Sequence, residues 1–385
     1  MSRTVLFLSH TAELNGAERW LLEAMQALDR SRFRPVLALP GAGPLGEAAA
    51  AGGIERVVVP SRWWLTPRAR LWTQPLSRLL NRKSVPRLTR VLREKKADLV
   101  FTNSAAFLSG ALAARAAGIP HVWMIHELLG PPRPQLLSFR GRRWLSRFIL
   151  RSSASVLVNS RAAAKAFGDD ARISIVYNWI PDWAGRPAPE ERTDVRGRWA
   201  VADGDFLCGV VGKVCEDKGQ REVVLAADSL RARYPRLKLF LVGSAPDARY
   251  TRSLRALLRA RGLDGTVVLT GYQEDVHSLY AAMDLVVVGS GRESFGRAAL
   301  EACALGVPVL AVRGGGIGEI VEDGKTGRLI DSGRPDAIAA GIEFVLEHPG
   351  EAKEMAERAR SEARARFDRE TQVRKIESVL EAALG

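Results

Sequence analysis

Two glutamates with seven residues between them, Glu293 and Glu301, bracket the last part of the stretch Gly-Ser-Gly-Arg-Glu-Ser-Phe-Gly-Arg-Ala-Ala-Leu-Glu at 289–301. It follows an apolar run, Leu285–Val288, so a buried strand feeds a glycine-rich loop and then a helix. A helix start offers unpaired backbone N–H groups and a partial positive charge to an anion, and Gly291 and Gly296 keep side chains out of its way. Glu293 sits in the loop and Glu301 about one and a half turns into the helix, so both can accept hydrogen bonds from hydroxyls of one bound molecule. Diphosphate plus polyol is the chemistry of a nucleotide sugar.

Two cations belong to the same chemistry. Gly212 ends the run Phe206–Val211, and Lys213 and Lys218 lie on the loop before the helical pattern of Gln220–Arg233. Both ammonium groups can then reach the crevice at the carboxyl ends of parallel strands and neutralise a leaving diphosphate. No Asp-x-Asp pair placed to hold a divalent ion is read here, and no metal and no cofactor are expected.

The elements that must position these groups follow from pattern. Short β-rich apolar runs alternate with helical periodicity, which predicts an α/β chain with parallel sheets. The first half offers strands near Val5–Ser9, Val36–Leu39, Arg56–Val59, Leu99–Thr102, Val122–Ile125, Ser155–Val158 and Ile173–Val176. The breaker-rich segment Pro181–Pro189 reads as a linker. A second series runs through Phe206–Val211, Leu239–Val242, Thr266–Leu269, Leu285–Val288 and Val307–Ala311. The expected organisation is a domain over 1–180, a second over 181–366, and a helix over 367–385 that packs back towards the first, with the two sheets facing across a cleft. Phe367-Asp368 is the expected break, and Val373, Ile376, Val379 and Leu380 form the stripe that the last helix buries.

The 385 residues suit two domains of ordinary size. No apolar run reaches the roughly 18 residues of a membrane-spanning helix, and Val5–Leu8 is too short for a secretory core. Three cysteines, Cys208, Cys215 and Cys303, are not spaced as metal ligands and fit a reducing cytoplasm. The net charge of +14 is uneven: residues 1–180 hold 27 Lys and Arg against 11 Asp and Glu, and the rest hold 30 against 32. A basic half seeks an anionic partner, and charge alone does not choose among nucleic acid, lipid and phosphorylated substrate.

The motifs together resemble the retaining nucleotide-sugar glycosyltransferases of family 4, which have the GT-B architecture of two Rossmann-like domains. Those that carry the resemblance are Asn15-Gly16-Ala17-Glu18-Arg19, Gly212-Lys213 with Lys218-Gly219, Glu293-Ser294-Phe295-Gly296, Glu301-Ala302 to Gly306-Val307-Pro308-Val309, Glu319-Ile320-Val321 and Gly324-Lys325-Thr326-Gly327. The resemblance implies a metal-independent reaction. It implies that Glu301 binds the ribose hydroxyls and Glu293 the donor sugar, and that backbone N–H groups near Ser294, Phe295 and Gly296 meet sugar and phosphate. Lys213 stands where the family usually has arginine, which keeps the charge and loses the bidentate fork. Gly16 opens a helix suited to phosphate, with Asn15 where a second glycine is usual; Asn tolerates left-handed backbone angles. His126 ends a strand where the family's His-Asp pair lies near the transferred sugar, and Glu127 replaces the Asp. Gly243-Ser244 and Gly271-Tyr272 either frame the base pocket or are simple strand-end turns.

Residues 62–96 contain 11 Lys and Arg and one acid, Glu94, interleaved with Trp63, Trp64, Trp72, Leu76, Leu88 and Leu92; six arginines and no acid occupy 133–151. Pro75 and Pro86 mark two helix starts. These stretches are either helices packed on the sheet with arginine-rich outer faces or a landing surface for anionic lipid.

The expected function is a cytoplasmic retaining glycosyltransferase, peripheral at the inner face of the membrane, that moves a sugar from a nucleoside diphosphate, UDP first among them, to a hydroxyl on a lipid-linked or cell-envelope glycan. Nucleic acid is not an expected partner. A nucleotide-sugar epimerase or sugar phosphorylase on the same fold, and a basic membrane or nucleic-acid binding module without activity, are the alternatives.

Overall fold

The structure is a computed structural model that describes residues 2–65, 81–130, 140–185 and 189–385. The expected helix start at Pro75, with Trp72, Leu76 and the basic residues of 66–80, lies outside the described residues, as do 133–139 and the linker residues 186–188. The chain divides into two compact units, Met1–Asn178 with Arg369–Gly385, and Trp179–Asp368.

The described residues of the first unit form seven strands: β1 (Arg3–Ser9), β2 (Phe33–Leu39), β3 (Glu55–Val58), β4 (Leu99–Asn103), β5 (His121–Ile125), β6 (Ser155–Val158) and β7 (Ile173–Ile175). They form one sheet in the order β3-β2-β1-β4-β5-β6-β7, parallel throughout. The second unit holds β8 (Phe206–Val211), β9 (Leu237–Val242), β10 (Val267–Gly271), β11 (Leu285–Val288), β12 (Val309–Val312) and β13 (Arg328–Ile330). Their order is β10-β9-β8-β11-β12-β13, again parallel. Both sheets therefore reverse direction of winding beside their first strand, between β1 and β4 and between β8 and β11, where the crevice of a doubly wound sheet opens.

Central strands of a parallel sheet are covered on both faces and read as continuous apolar runs. Val5–Leu8, Leu99–Phe101 and Leu285–Val288 are buried accordingly. Each of the twelve expected strands is present within a few residues. The thirteenth, β13, is an addition: its sequence Arg-Leu-Ile has only two apolar residues and no apolar run to announce it.

The helix Arg369–Leu384 is held by the first unit. Gln372 Oε1 accepts the Tyr177 N–H at 3.0 Å, Glu377 Oε1 accepts the Asp29 N–H at 2.8 Å, and Arg32 pairs with Glu377 at 3.1 Å. Val373, Ile376 and Leu380 are buried beneath it.

The described parts of the basic stretches are helices on the sheet. In Ser84–Glu94, Leu88 and Leu92 join Leu6, Leu8, Val36 and Val100 in one core cluster, while Arg87, Arg90 and Arg93 are exposed. In Arg142–Arg151, Leu145 and Ile149 pack with Trp123, Val156 and Val158, and Arg142, Arg143, Arg147 and Arg151 point outward. Burying each leucine stabilises by about 1.5–3 kcal/mol, so these apolar residues serve the core, and the outer surface is mainly cationic, with Glu94 the one exposed acid of the two helices.

Candidate active site

Past the ends of β8, β9 and β10 the backbone ladder continues through glycine. Gly212 N–H donates to Val242 O at 2.8 Å, Gly243 N–H to Gly271 O at 2.9 Å, and Val214 N–H to Ser244 O at 2.8 Å. Gly243 has φ +144°, and a Cβ there would run into the Gly212 carbonyl. Gly212, Gly243 and Gly271 thus bring three strand-end loops together, and Tyr272 follows them, 58% exposed.

At the glycine-rich loop, packing within the protein gives a further reason for glycine. A Cβ on Gly296, φ +110°, would lie 2.5 Å from Ile317 Cδ1, and one on Gly291 would lie 3.3 Å from Val312 Cγ1. Gly296 is required by its left-handed backbone and close packing, whereas a Cβ on Gly291 would be tight against one valine methyl. Gly296 caps the helix Arg297–Leu305, which places Glu301 one turn and a fraction inside it. Phe295 turns its side chain inward, 1% exposed, edge-on to Phe367 at 5.5 Å, so only its backbone faces the loop side. Ser294 is half-buried beside it.

Lys218 and Glu293 meet. Lys218 closes the short turn Glu216–Lys218, and its Nζ lies 2.6 Å from Glu293 Oε1. Burial works against the ammonium, but the Glu293 carboxylate and its hydrogen bond outweigh burial and raise the lysine pKa above its usual value. Lys213 is exposed on the same loop and forms no ion pair with the described residues; its carbonyl accepts from Gln220 Nε2 at 2.8 Å. Arg292, beside Glu293, reaches Asp217 at 2.8 Å.

Glu301 is held by its neighbours. The hydroxyl of Tyr280, a fully buried residue of the helix Val276–Ala282, donates to Glu301 Oε2 at 2.9 Å. Arg297, one turn earlier, places Nε 3.4 Å from Oε1.

In the first unit, Gly16 begins the helix Gly16–Ala27. Asn15 before it is extended, φ −89° and ψ −172°, so the left-handed geometry that would suit Asn there is not used. At the ends of β4 and β5, His126 Nε2 lies 2.7 Å from Asn103 Oδ1. The Asn103 amide donates from Nδ2 to Ala17 O at 3.2 Å, so its oxygen accepts from the imidazole and Nε2 carries the proton. Trp20 meets the same ring edge-on at 5.1 Å.

Glu127 is a strut between two loops. Its carboxylate accepts the backbone N–H groups of Ala105 and His126, both at 3.1 Å, and the Ser104 hydroxyl. Ser104 is left-handed, φ +87°, a conformation unusual for its type. Burial raises the Glu127 pKa, with the three hydrogen bonds opposing.

Neither Asn103 nor Tyr280 stood out in the sequence. Asn103 could have been found from its place just past a strand's carboxyl end; a buried tyrosine in an amphipathic helix gives no signal. The one Asp-x-Asp in the chain, Asp203-Gly204-Asp205, precedes β8, at the opposite end of the strand from Lys213, where Asp205 Oδ2 accepts the Ala202 N–H at 2.9 Å. Among the described residues no group of three or more His, Cys, Asp or Glu is placed to hold a metal ion, and no helix is long and apolar enough to cross a membrane.

Two doubly wound domains, with cations, carboxylates and glycine loops at the strand ends of the second, define a GT-B glycosyltransferase. Residues 14–182 match the model of Glycosyltransferase Family 4 and residues 191–362 that of Glycosyl transferases group 1. The chain belongs to glycosyltransferase family 4.

The relatives fit that assignment. The chain is 29% identical over 286 residues to the GDP-mannose-dependent alpha-(1-6)-phosphatidylinositol monomannoside mannosyltransferase of Mycolicibacterium smegmatis, covering 70% of this chain and 72% of that protein. It is 29% identical over 266 residues to the D-inositol 3-phosphate glycosyltransferase of Rhodococcus erythropolis, covering 65% of this chain and 60% of that one. Among solved structures, Anabaena HepE in complex with UDP and glucose superposes with TM-score 0.84 at 27% identity, covering 98% of this chain and 99% of that one. Sucrose-phosphate synthase of Thermosynechococcus elongatus, 19% identical with TM-score 0.78 over 98% of both chains, shares the fold.

Proposed function

We propose that the enzyme is a retaining, metal-independent transferase that takes its sugar from a UDP-sugar and delivers it to a hydroxyl of a lipid-linked or cell-envelope glycan. The observation that carries this is the Lys218–Glu293 pair beside the loop that opens the helix Arg297–Leu305. An ammonium kept protonated by its neighbour is a preorganised sink for the charge that develops on a departing diphosphate. Lys213 adds a second cation on the same loop. Glu301 takes the ribose hydroxyls, and Glu293 takes a hydroxyl of the sugar. Loop N–H groups near Ser294, Phe295 and Gly296 meet phosphate or sugar, and Gly243, Gly271 and Tyr272 border the base.

The first unit is the acceptor side. Asn103 holds Nε2 of His126 as a donor, so in the neutral ring the lone pair belongs to Nδ1. No carboxylate among the described residues of the first unit is an obvious nucleophile, so retention proceeds by attack on the face the diphosphate leaves, with the leaving group taking the acceptor's proton.

HepE binds UDP and glucose by its description, and the mycobacterial relative acts on a phosphatidylinositol mannoside by its name. HepE supports the UDP donor, whereas the mycobacterial relative, GDP-mannose-dependent by its name, supports the lipid-linked acceptor class alone. The outward arginines of Ser84–Glu94 and Arg142–Arg151 support a place at the inner face of an anionic membrane.

A thermal-shift screen of UDP-, GDP-, ADP- and dTDP-sugars tests the donor. A ligand at about 100 times its Kd adds roughly 2.7 kcal/mol of stability. UDP-sugars should raise the melting temperature most, and a shift confined to another base would overturn the choice of UDP.

A further inference from the structure

Tyr280 is wholly buried, yet its hydroxyl is directed at Glu301 Oε2, 2.9 Å away; Ala298 O, at 3.4 Å, takes little of the bond. The ring has few ways to move. Its helix is capped by Asp275, which accepts the Ser278 N–H at 3.1 Å, and Trp183 stacks on the ring at 6.4 Å with planes 19° apart. Arg297 Nε stands 3.4 Å from the other carboxylate oxygen.

We infer that Tyr280 is a positioning residue for the nucleotide: from behind the site it fixes the Glu301 carboxylate in the one orientation that receives both ribose hydroxyls. This rests on the proposed reading that Glu301 binds ribose. A glutamate alone has three side-chain rotors and loses their freedom when a ligand orders it. A carboxylate offers about four lone-pair sites, of which the tyrosine takes one and the arginine faces another, so enough remain for two ribose hydroxyls. Burial first, and then the Glu301 charge, push the phenol pKa well above its usual value, so the hydroxyl remains a donor throughout the working range. Tyr280→Phe removes the anchor and keeps the ring packing against Trp183.

Calorimetric titration of wild type, Tyr280→Phe, Glu301→Gln and the double variant with UDP and GDP, each beside its 2′-deoxy counterpart, tests this. For the ribonucleotide that wild type binds, Tyr280→Phe should raise Kd by about three- to tenfold, the scale of one ordinary hydrogen bond, because Tyr280 orients Glu301 without touching the ligand. It should also shrink the preference for ribo over 2′-deoxy, which a merely looser fold would leave unchanged. The double variant should bind no more weakly than Glu301→Gln, since residues acting through one contact are not additive.

Wild-type affinity and ribo preference in Tyr280→Phe, or losses that multiply in the double variant, would overturn the inference while Glu301→Gln still upholds the ribose assignment. Unchanged binding in Glu301→Gln would overturn that assignment and this inference with it.

Discussion

Lys218 and Glu293, 75 residues apart in the chain, meet at 2.6 Å beside the glycine-rich loop. Because Glu293 outweighs burial, the lysine pKa lies above its ordinary 10.5 and the ammonium is charged whenever the enzyme works. The upward shift means that the pair's contribution to stability is complete below 10.5 and is lost as pH rises through the folded value. Lys218→Ala should lower transfer by about two orders of magnitude or more, the scale on which an electrostatic stabiliser of the transition state acts. EDTA should leave the wild-type rate unchanged. Transfer that collapses in chelator and returns with magnesium would refute the metal-free mechanism.

The two glutamates should fail differently. Glu301→Gln should mainly raise the Kd for nucleotide, whereas Glu293→Gln should depress kcat with nucleotide affinity nearly intact, since one is assigned to ribose and the other to the transferred sugar. Steady-state kinetics beside nucleotide titrations separate them, and equal loss of nucleotide binding in both variants would contradict the division.

Glu127 predicts a pH effect of the opposite sense from a surface carboxylate. Its folded pKa is raised above the ordinary 4.5, so its contribution to stability is fully present below 4.5 and declines as pH rises through the folded value. Glu127→Gln imitates the protonated form: its carbonyl keeps the Ala105 and His126 N–H groups, and its amide can donate to Ser104 Oγ. Urea unfolding across this range should show the variant gaining on wild type as pH rises. Glu127→Ala, which strands two backbone donors, should lose about 2–4 kcal/mol at neutral pH.

The cationic outer faces predict salt-sensitive membrane binding. Replacing Arg87, Arg90, Arg93, Arg142, Arg143 and Arg147 with Gln should abolish sedimentation with vesicles containing anionic lipid. Transfer to a soluble acceptor analogue should survive, because these side chains are exposed and their apolar neighbours remain in the core. Wild-type binding should fade with salt, as attraction decays over roughly 8 Å at physiological ionic strength. Equal partition of variant and wild type would remove the lipid surface from the proposed function.

The strands and the family were legible in the sequence because both are written locally. Leu285–Val288 is an unbroken apolar run, and the glycines at 212, 243, 271 and 296 stand at strand or helix ends where chain geometry demands them. Even the helix boundary at Phe367-Asp368 announced itself by composition and spacing. Only the tertiary structure decided what those elements hold together. The shared order of the two sheets, the embrace of Glu301 by Tyr280, the meeting of Lys218 with Glu293 and the three bonds on Glu127 join residues that sequence periodicity treats as unrelated. A hydrophobic pattern specifies which face is buried, since burial is non-directional and follows each residue's own type. A hydrogen bond needs two particular atoms at one distance and angle, and that coincidence exists only once the chain has folded.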